Sequence, residues 1–142
     1  MKAIHPYLNF GGNSEEAFNF YQSVFGGEFK AVVRFRDMPM EGVEISESDM
    51  NKIMHISLPL TKDTILMASD CVESMNQKVN VGDNNYICLS PESKQEADKI
   101  YEKLAQDGEI EMPLADAPWG SYFASFKDKF GVCWMIDYEL PK

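Results

Sequence analysis

The chain is short of the residues that several common tasks demand. It has two histidines, His5 and His55, and 13 basic side chains against 23 acidic ones, a formal charge of -10. A surface of that sign repels phosphate backbones and anionic headgroups, so neither nucleic acid nor a membrane surface is an expected partner. Long hydrophobic runs are missing. No apolar segment approaches the roughly 18 residues of a membrane span, and no basic stretch leads into an apolar one as in a secretory signal. Cysteine is scarce too: Cys71, Cys88 and Cys133 are odd in number and widely spaced. They suit free thiols in a reducing cytoplasm better than a disulfide framework.

What is present suits one packed domain spanning 1–142. Apolar residues make up 44% of the chain and aromatics 12%, and a chain of this length buries roughly two-thirds of its unfolded surface without a covalent staple. The N-terminal stretch HPYLNFGGNSEEAFNFYQSVFGG reads as a strand, a Gly11-Gly12 turn and an amphipathic helix with Asn13 and Glu16 as a capping box. Ala17, Phe20, Tyr21 and Val24 form its apolar stripe. Ala97, Ile100, Tyr101 and Leu104 repeat that stripe at a constant offset, with Glu96 matching Glu16. The chain is therefore read as a duplicated module, with halves of roughly 1–72 and 80–140.

In order, strands are expected at 2–10 and 28–36, then a loop over 37–50 with a short strand near 43–45. An antiparallel pair follows at 53–58 and 64–69. After a polar connection, the second half opens with NYICLS, and Ser90-Pro91 is read as the start of a helix running to about Gln106. A strand near 109–112, the loop PLADAPWG and the strands SYFASF and VCWMID complete it. Both halves read β-α-β-β-β, which favours mixed sheets with helices on one face. In IMHISL, Met54, Ile56 and Leu58 share one face, so His55 and Ser57 point the other way.

The segments PYLNFGG, EEAFNFYQSVFGGE, IMHISL, ILMASD and MPLADAPWGSYFASFKDKFGVCWMI resemble the vicinal oxygen chelate superfamily, and within it the PhnB-like branch. The resemblance implies an α+β fold of two βαβββ modules whose curved mixed sheets surround a cavity, as in glyoxalases and bleomycin resistance proteins, usually in a homodimer. It also implies four metal-ligand positions, on the first and last strands of each module. Carried onto this chain they are His5, Tyr86, Met67 and Met135. Sites of this kind use imidazole and carboxylate, and only His5 qualifies, so no metal or cofactor is expected.

His5, Tyr7, His55, Met67, Tyr86, Trp119, Phe123 and Met135 then compose a mostly apolar ligand pocket with a few polar groups; sheet filler or a dimer interface is the competing reading for the same side chains. The function expected is binding of a small molecule of undetermined identity. The alternative is a glyoxalase-like lyase or isomerase that recruits Zn, Ni or Mn through His5, or an acid-base reaction through the candidates His5 and His55. A methyltransferase reading finds no support, because Gly11-Gly12 is not the glycine-rich turn of a parallel dinucleotide-type sheet. Few cations fall on the inward faces to hold a phosphonate.

Overall fold

Strand β1 (Tyr7–Phe10) runs into helix α1 (Ser14–Phe25), and β2 (Ala31–Arg34), β3 (Ile53–Pro59) and β4 (Ile65–Asp70) follow. The second set is β5 (Ile87–Leu89), α2 (Lys94–Leu104), β6 (Glu109–Asp116), β7 (Ser121–Lys127) and β8 (Cys133–Glu139). This is a computed structural model describing residues 1–142. The chain divides into two compact units, Met1–Asn80 and Val81–Lys142, each holding one four-stranded mixed sheet. The orders are β1-β4-β3-β2 and β5-β8-β7-β6. In each, the first and last strands are parallel and the rest antiparallel. The two units therefore share the expected βαβββ path, and neither sheet closes on itself.

Alternation along the strands gives each sheet one helix-covered face. In the first unit Phe10 meets Phe18 edge-on, and Ile56, Leu58, Leu66 and Ala68 are fully buried with Ala17 and Tyr21. In the second, Tyr101 meets Phe126 edge-on, over buried Ala124, Trp134 and Ile136. The stripe expected on α1 is rotated: Phe18 is completely buried while Phe20 and Val24 are only half covered. Ser14, Ala17, Phe18 and Tyr21 are the residues that face the sheet.

Both helix starts differ from the sequence reading. Asn13 makes no side-chain cap; instead the Asp70 carboxylate, at the end of β4, accepts from Ser14 N at 3.0 Å and from Ile53 N at 2.8 Å. A buried carboxylate fixed by the sheet supplies both the acceptor and the negative charge that a helix N-terminus favours. Glu15 is bound by the Arg34 guanidinium through two contacts, tying α1 to β2. Helix α2 begins three residues after Pro91, with Ser93 Oγ accepting from Glu96 N at 3.1 Å. Ser-x-x-Glu is the capping spacing, and it prevails over Ser90-Pro91.

The strands differ less. β6 is twice the length anticipated and absorbs much of the PLADAPWG loop. As an edge strand it tolerates Pro113, with irregular register between Ile110 and Met112 and between Met112 and Ala115. No strand forms at 43–45. The distal half of that loop is pinned: Lys52 Nζ donates to Asp49 Oδ1 at 2.9 Å and Ser74 Oγ to Asp49 Oδ2 at 2.7 Å.

These two donors, Lys52 foremost, hold the Asp49 carboxyl down at about 2, against an ordinary value of 3.8. A depressed carboxyl adds stability that is complete above its unfolded value and lost as pH falls through its folded one. The urea midpoint of an Asp49→Asn variant should therefore lie below that of the parent chain at pH 6, with the gap closing between about pH 4 and 2. A gap independent of pH over that range would show that the contact is not ionic.

Candidate functional site

On the face of the first sheet away from α1 stand Tyr7 and Asn9, His55 and Ser57, and Met67 and Ser69. Register puts Tyr7 beside Met67 and Met67 beside Ser57. The Tyr7 hydroxyl lies 3.2 Å from His55 Nδ1, and the two rings are 5.8 Å apart. Ser69 Oγ donates to Asn9 Oδ1 at 3.4 Å. Tyr7 is 48% exposed, so this cluster of aromatic, imidazole and thioether is reachable from outside.

His5 stands just ahead of β1, and its Nδ1 accepts the backbone N–H of Ile65 at 2.9 Å. That bond fixes the ring chemistry. A neutral imidazole accepting at Nδ1 carries its proton on Nε2, whereas metal-bound histidines coordinate through one nitrogen and donate from the other. His5 is thus arranged as an N–H donor rather than as a ligand.

In the second sheet the register Cys88 to Met135 matches Tyr7 to Met67, which puts Tyr86 at the place of His5. The Tyr86 hydroxyl donates to both carboxylate oxygens of Glu111, at 2.7 and 2.9 Å. This pushes its pKa up to about 12, so the phenol keeps its proton. Met135 lies between Cys88 and Ser125 on the face away from α2. Burial, first, pushes the Cys88 and Cys133 thiols up, which disfavours the thiolate a nucleophile requires.

Phe123 pairs across strands with Asp137, and the Trp119 ring meets Phe123 edge-on at 5.3 Å. A cleft of about 820 Å³ opens beside them, lined by Ser90, Trp119, Ser121, Asp137, Glu139 and Leu140 among others. It lies where β5 and β8 end and β7 begins.

The eight residues singled out from sequence thus fall four to a unit. Tyr7, His55 and Met67 form one cluster with His5 just ahead of it in the chain. Trp119 and Phe123 form another, while Met135 packs with Cys88 and Tyr86 is engaged by Glu111. Sequence reading passed over Glu111, Ser121, Asp137 and Glu139. Alternation from Phe123 and Met135 would have placed the last three on the same face; nothing short of the bulged β6 would have revealed Glu111.

The donor set does not fit the divalent ion that related folds carry. The equivalent last-strand positions hold thioethers, Met67 and Met135, and hard or borderline ions prefer carboxylate and imidazole. No three His, Cys, Asp or Glu side chains gather into a metal-binding group. No helix is long and apolar enough to cross a membrane.

Comparison with known proteins agrees with the topology. Protein PA1353 from Pseudomonas aeruginosa is similar over 98% of both chains, at 36% identity and a TM-score of 0.86. A PhnB protein from Bacillus cereus matches over 95% of this chain and 98% of its own, at 29% identity and a TM-score of 0.75. Protein YjdN of Escherichia coli K12 is 27% identical over 138 residues, 94% of this chain and 93% of that protein. The model of the glyoxalase/bleomycin resistance protein/dioxygenase superfamily matches residues 3–136, and with β-α-β-β-β traced twice through its sheets the chain belongs to that superfamily.

Proposed function

We propose that the protein binds a small organic molecule on the helix-free faces of its sheets, and that it does so without a resident catalytic metal. The observation that carries this reading is the replacement of donors by soft and aromatic groups. Thioethers stand at both last-strand positions, His5 is committed as an N–H donor by Ile65, and Tyr7 with His55 offers an accessible aromatic-polar pair. Sites for small molecules are mostly apolar with a few placed polar groups.

Methyl transfer of the common nucleotide-dependent kind is not supported. That chemistry relies on a parallel sheet and an open helix N-terminus after a glycine-rich turn. Here the sheets are mixed, and the N-terminus that follows Gly11-Gly12 is already filled by the Asp70 carboxylate.

Two measurements test the proposal. Elemental analysis of protein purified without a metal-affinity tag is expected to show substoichiometric Zn, Ni and Mn; one equivalent of any of them would overturn the metal-free part. A thermal-shift screen of apolar and aromatic compounds should find binders. A ligand at a hundred times its Kd stabilises by about 2.7 kcal/mol, which raises Tm by roughly 5–10 °C for a chain of this size. Tyr7→Ala, which also removes the contact with His55, should weaken such a binder while costing the free protein about 1 kcal/mol.

A further inference from the structure

The cleft at the ends of β5 and β8 combines three features that nothing in the fold requires. The first is an exposed aromatic shelf. Trp119 is 59% exposed on a tight turn in which Gly120 N donates to Ala117 O and Ala117 N to Ser121 O. Gly120 has a φ of +98°, which favours glycine, and its carbonyl accepts from Leu140 N at 2.9 Å. The tail is thereby drawn across one side of the cleft, while Phe123 braces the indole from below.

The second feature is uncompensated negative charge. Asp137 and Glu139 alternate on one face of β8 and both line the cleft. Neither makes a side-chain hydrogen bond or ion pair. Asp137 is half-buried, and its charge is felt by the Cys88 thiol on the neighbouring strand. Lys142 is the one basic residue in the lining, opposing one of two carboxylates. Two carboxylates on one wall, with a single lysine in the lining, favour a cation supplied from outside.

The third is Ser121, only 8% exposed. It lines the cleft, sits directly across from Glu139 in register, and its hydroxyl has no hydrogen-bond partner. Its oxygen is open to the cleft, unlike Ser14 Oγ, which is sealed in without a partner, so it can meet a donor or acceptor that arrives with a ligand.

We propose that the cleft is a binding site for an arylalkylamine, its ring stacked on Trp119 and its protonated nitrogen held by Asp137, Glu139 and the Ser121 hydroxyl. The ammonium is drawn to the carboxylates and donates to Ser121 Oγ, while the indole face favours a cation as well as a ring. An anionic or phosphorylated ligand meets the wrong sign of charge. This deepens the reading of the protein as a small-molecule binder by giving the ligand a class, and it rests on that reading.

The experiment uses the whole chain and two probes of nearly equal shape, 2-phenylethylammonium and neutral n-propylbenzene, with 3-phenylpropionate as the anion. Binding is followed by calorimetry and by Trp119 emission. The only other tryptophan, Trp134, is fully buried with its indole N–H donating to Asp128 at 2.8 Å, so a change in the exposed component belongs to Trp119.

The cation should bind at least about tenfold more tightly than the neutral probe, and the anion should not bind. Asp137→Asn should abolish most of that preference with Tm unchanged. Ser121→Ala should weaken the primary ammonium several-fold and leave propylbenzene alone. Equal binding of cation and neutral probe, or a preference that survives Asp137→Asn, would overturn the amine assignment while leaving small-molecule binding intact. No binding of either probe would overturn the site. If the screen described above also returned no ligand, the broader reading would fall with it.

Discussion

Gly108→Ala is expected to destabilise the protein by about 3 kcal/mol or more. A Cβ built on Gly108 would lie 2.1 Å from the Lys127 carbonyl oxygen and 3.1 Å from Asp128 Cα. Both are backbone atoms, so no rotamer relieves the overlap; the turn from α2 into β6 would have to lift off the end of β7. That turn is already tightly set, with Gly108 N donating to Ala105 O at 3.0 Å and Asp107 at a φ of +62°. Gly26 supplies the comparison. It has a φ of +77° and a ψ of -165°, but a Cβ there would meet nothing within 4 Å, so Gly26→Ala should cost only the conformational penalty of about 1–3 kcal/mol. Urea denaturation followed by far-ultraviolet circular dichroism measures both. A Gly108→Ala midpoint no lower than that of Gly26→Ala would show that the close approach relaxes freely.

Asp128→Ala is expected to cost about 3–5 kcal/mol, a large part of the 5–15 kcal/mol typical of a domain. Asp128 is 3% exposed. Its Oδ1 accepts from Phe130 N at 2.8 Å and Val132 N at 3.0 Å, and its Oδ2 accepts from Trp134 Nε1 at 2.8 Å. Removing the carboxylate strands three donors, one of them on an indole that is fully buried. Asp128→Asn keeps one oxygen but turns an N–H pair toward a donor, so it should fall between the parent and the alanine variant. If the two substitutions proved equally mild, the turn would be held by packing and not by this acceptor.

The two βαβββ paths could be read in the sequence because their signals are local: strand alternation, the helical period, and turns at 61–63 and 128–131. The halves share a topology even though a pinned loop follows the short helical turn Phe35–Asp37 in the first unit only. Failures came where long-range contact outranks local preference. Asn13 had the right neighbours for a cap, but Asp70 arrives from 56 positions away with a full charge. Phe18 lies outside the expected stripe, yet a four-stranded sheet is wide enough to accept it beside Ala17 and Tyr21.

The candidate site was half visible for the same reason. Parity along β1, β3 and β4 is enough to put Tyr7, His55 and Met67 on one face. The ring nitrogen that His5 turns toward Ile65 and the bond from Tyr86 to Glu111 depend on side-chain placement, which no spacing encodes.

The unlike origins of the two helix caps also bear on how the chain assembles. Helix α2 finds its acceptor within its own first turn, at Ser93, so its cap requires no strand pairing. Helix α1 has no such local stop. Its acceptor reaches it only when a loop of 56 residues has closed, an ordering that carries a substantial entropic cost. Two repeats with the same path through space therefore differ in what their helix starts require: one is capped from within its own sequence, the other only by the last strand of its completed sheet.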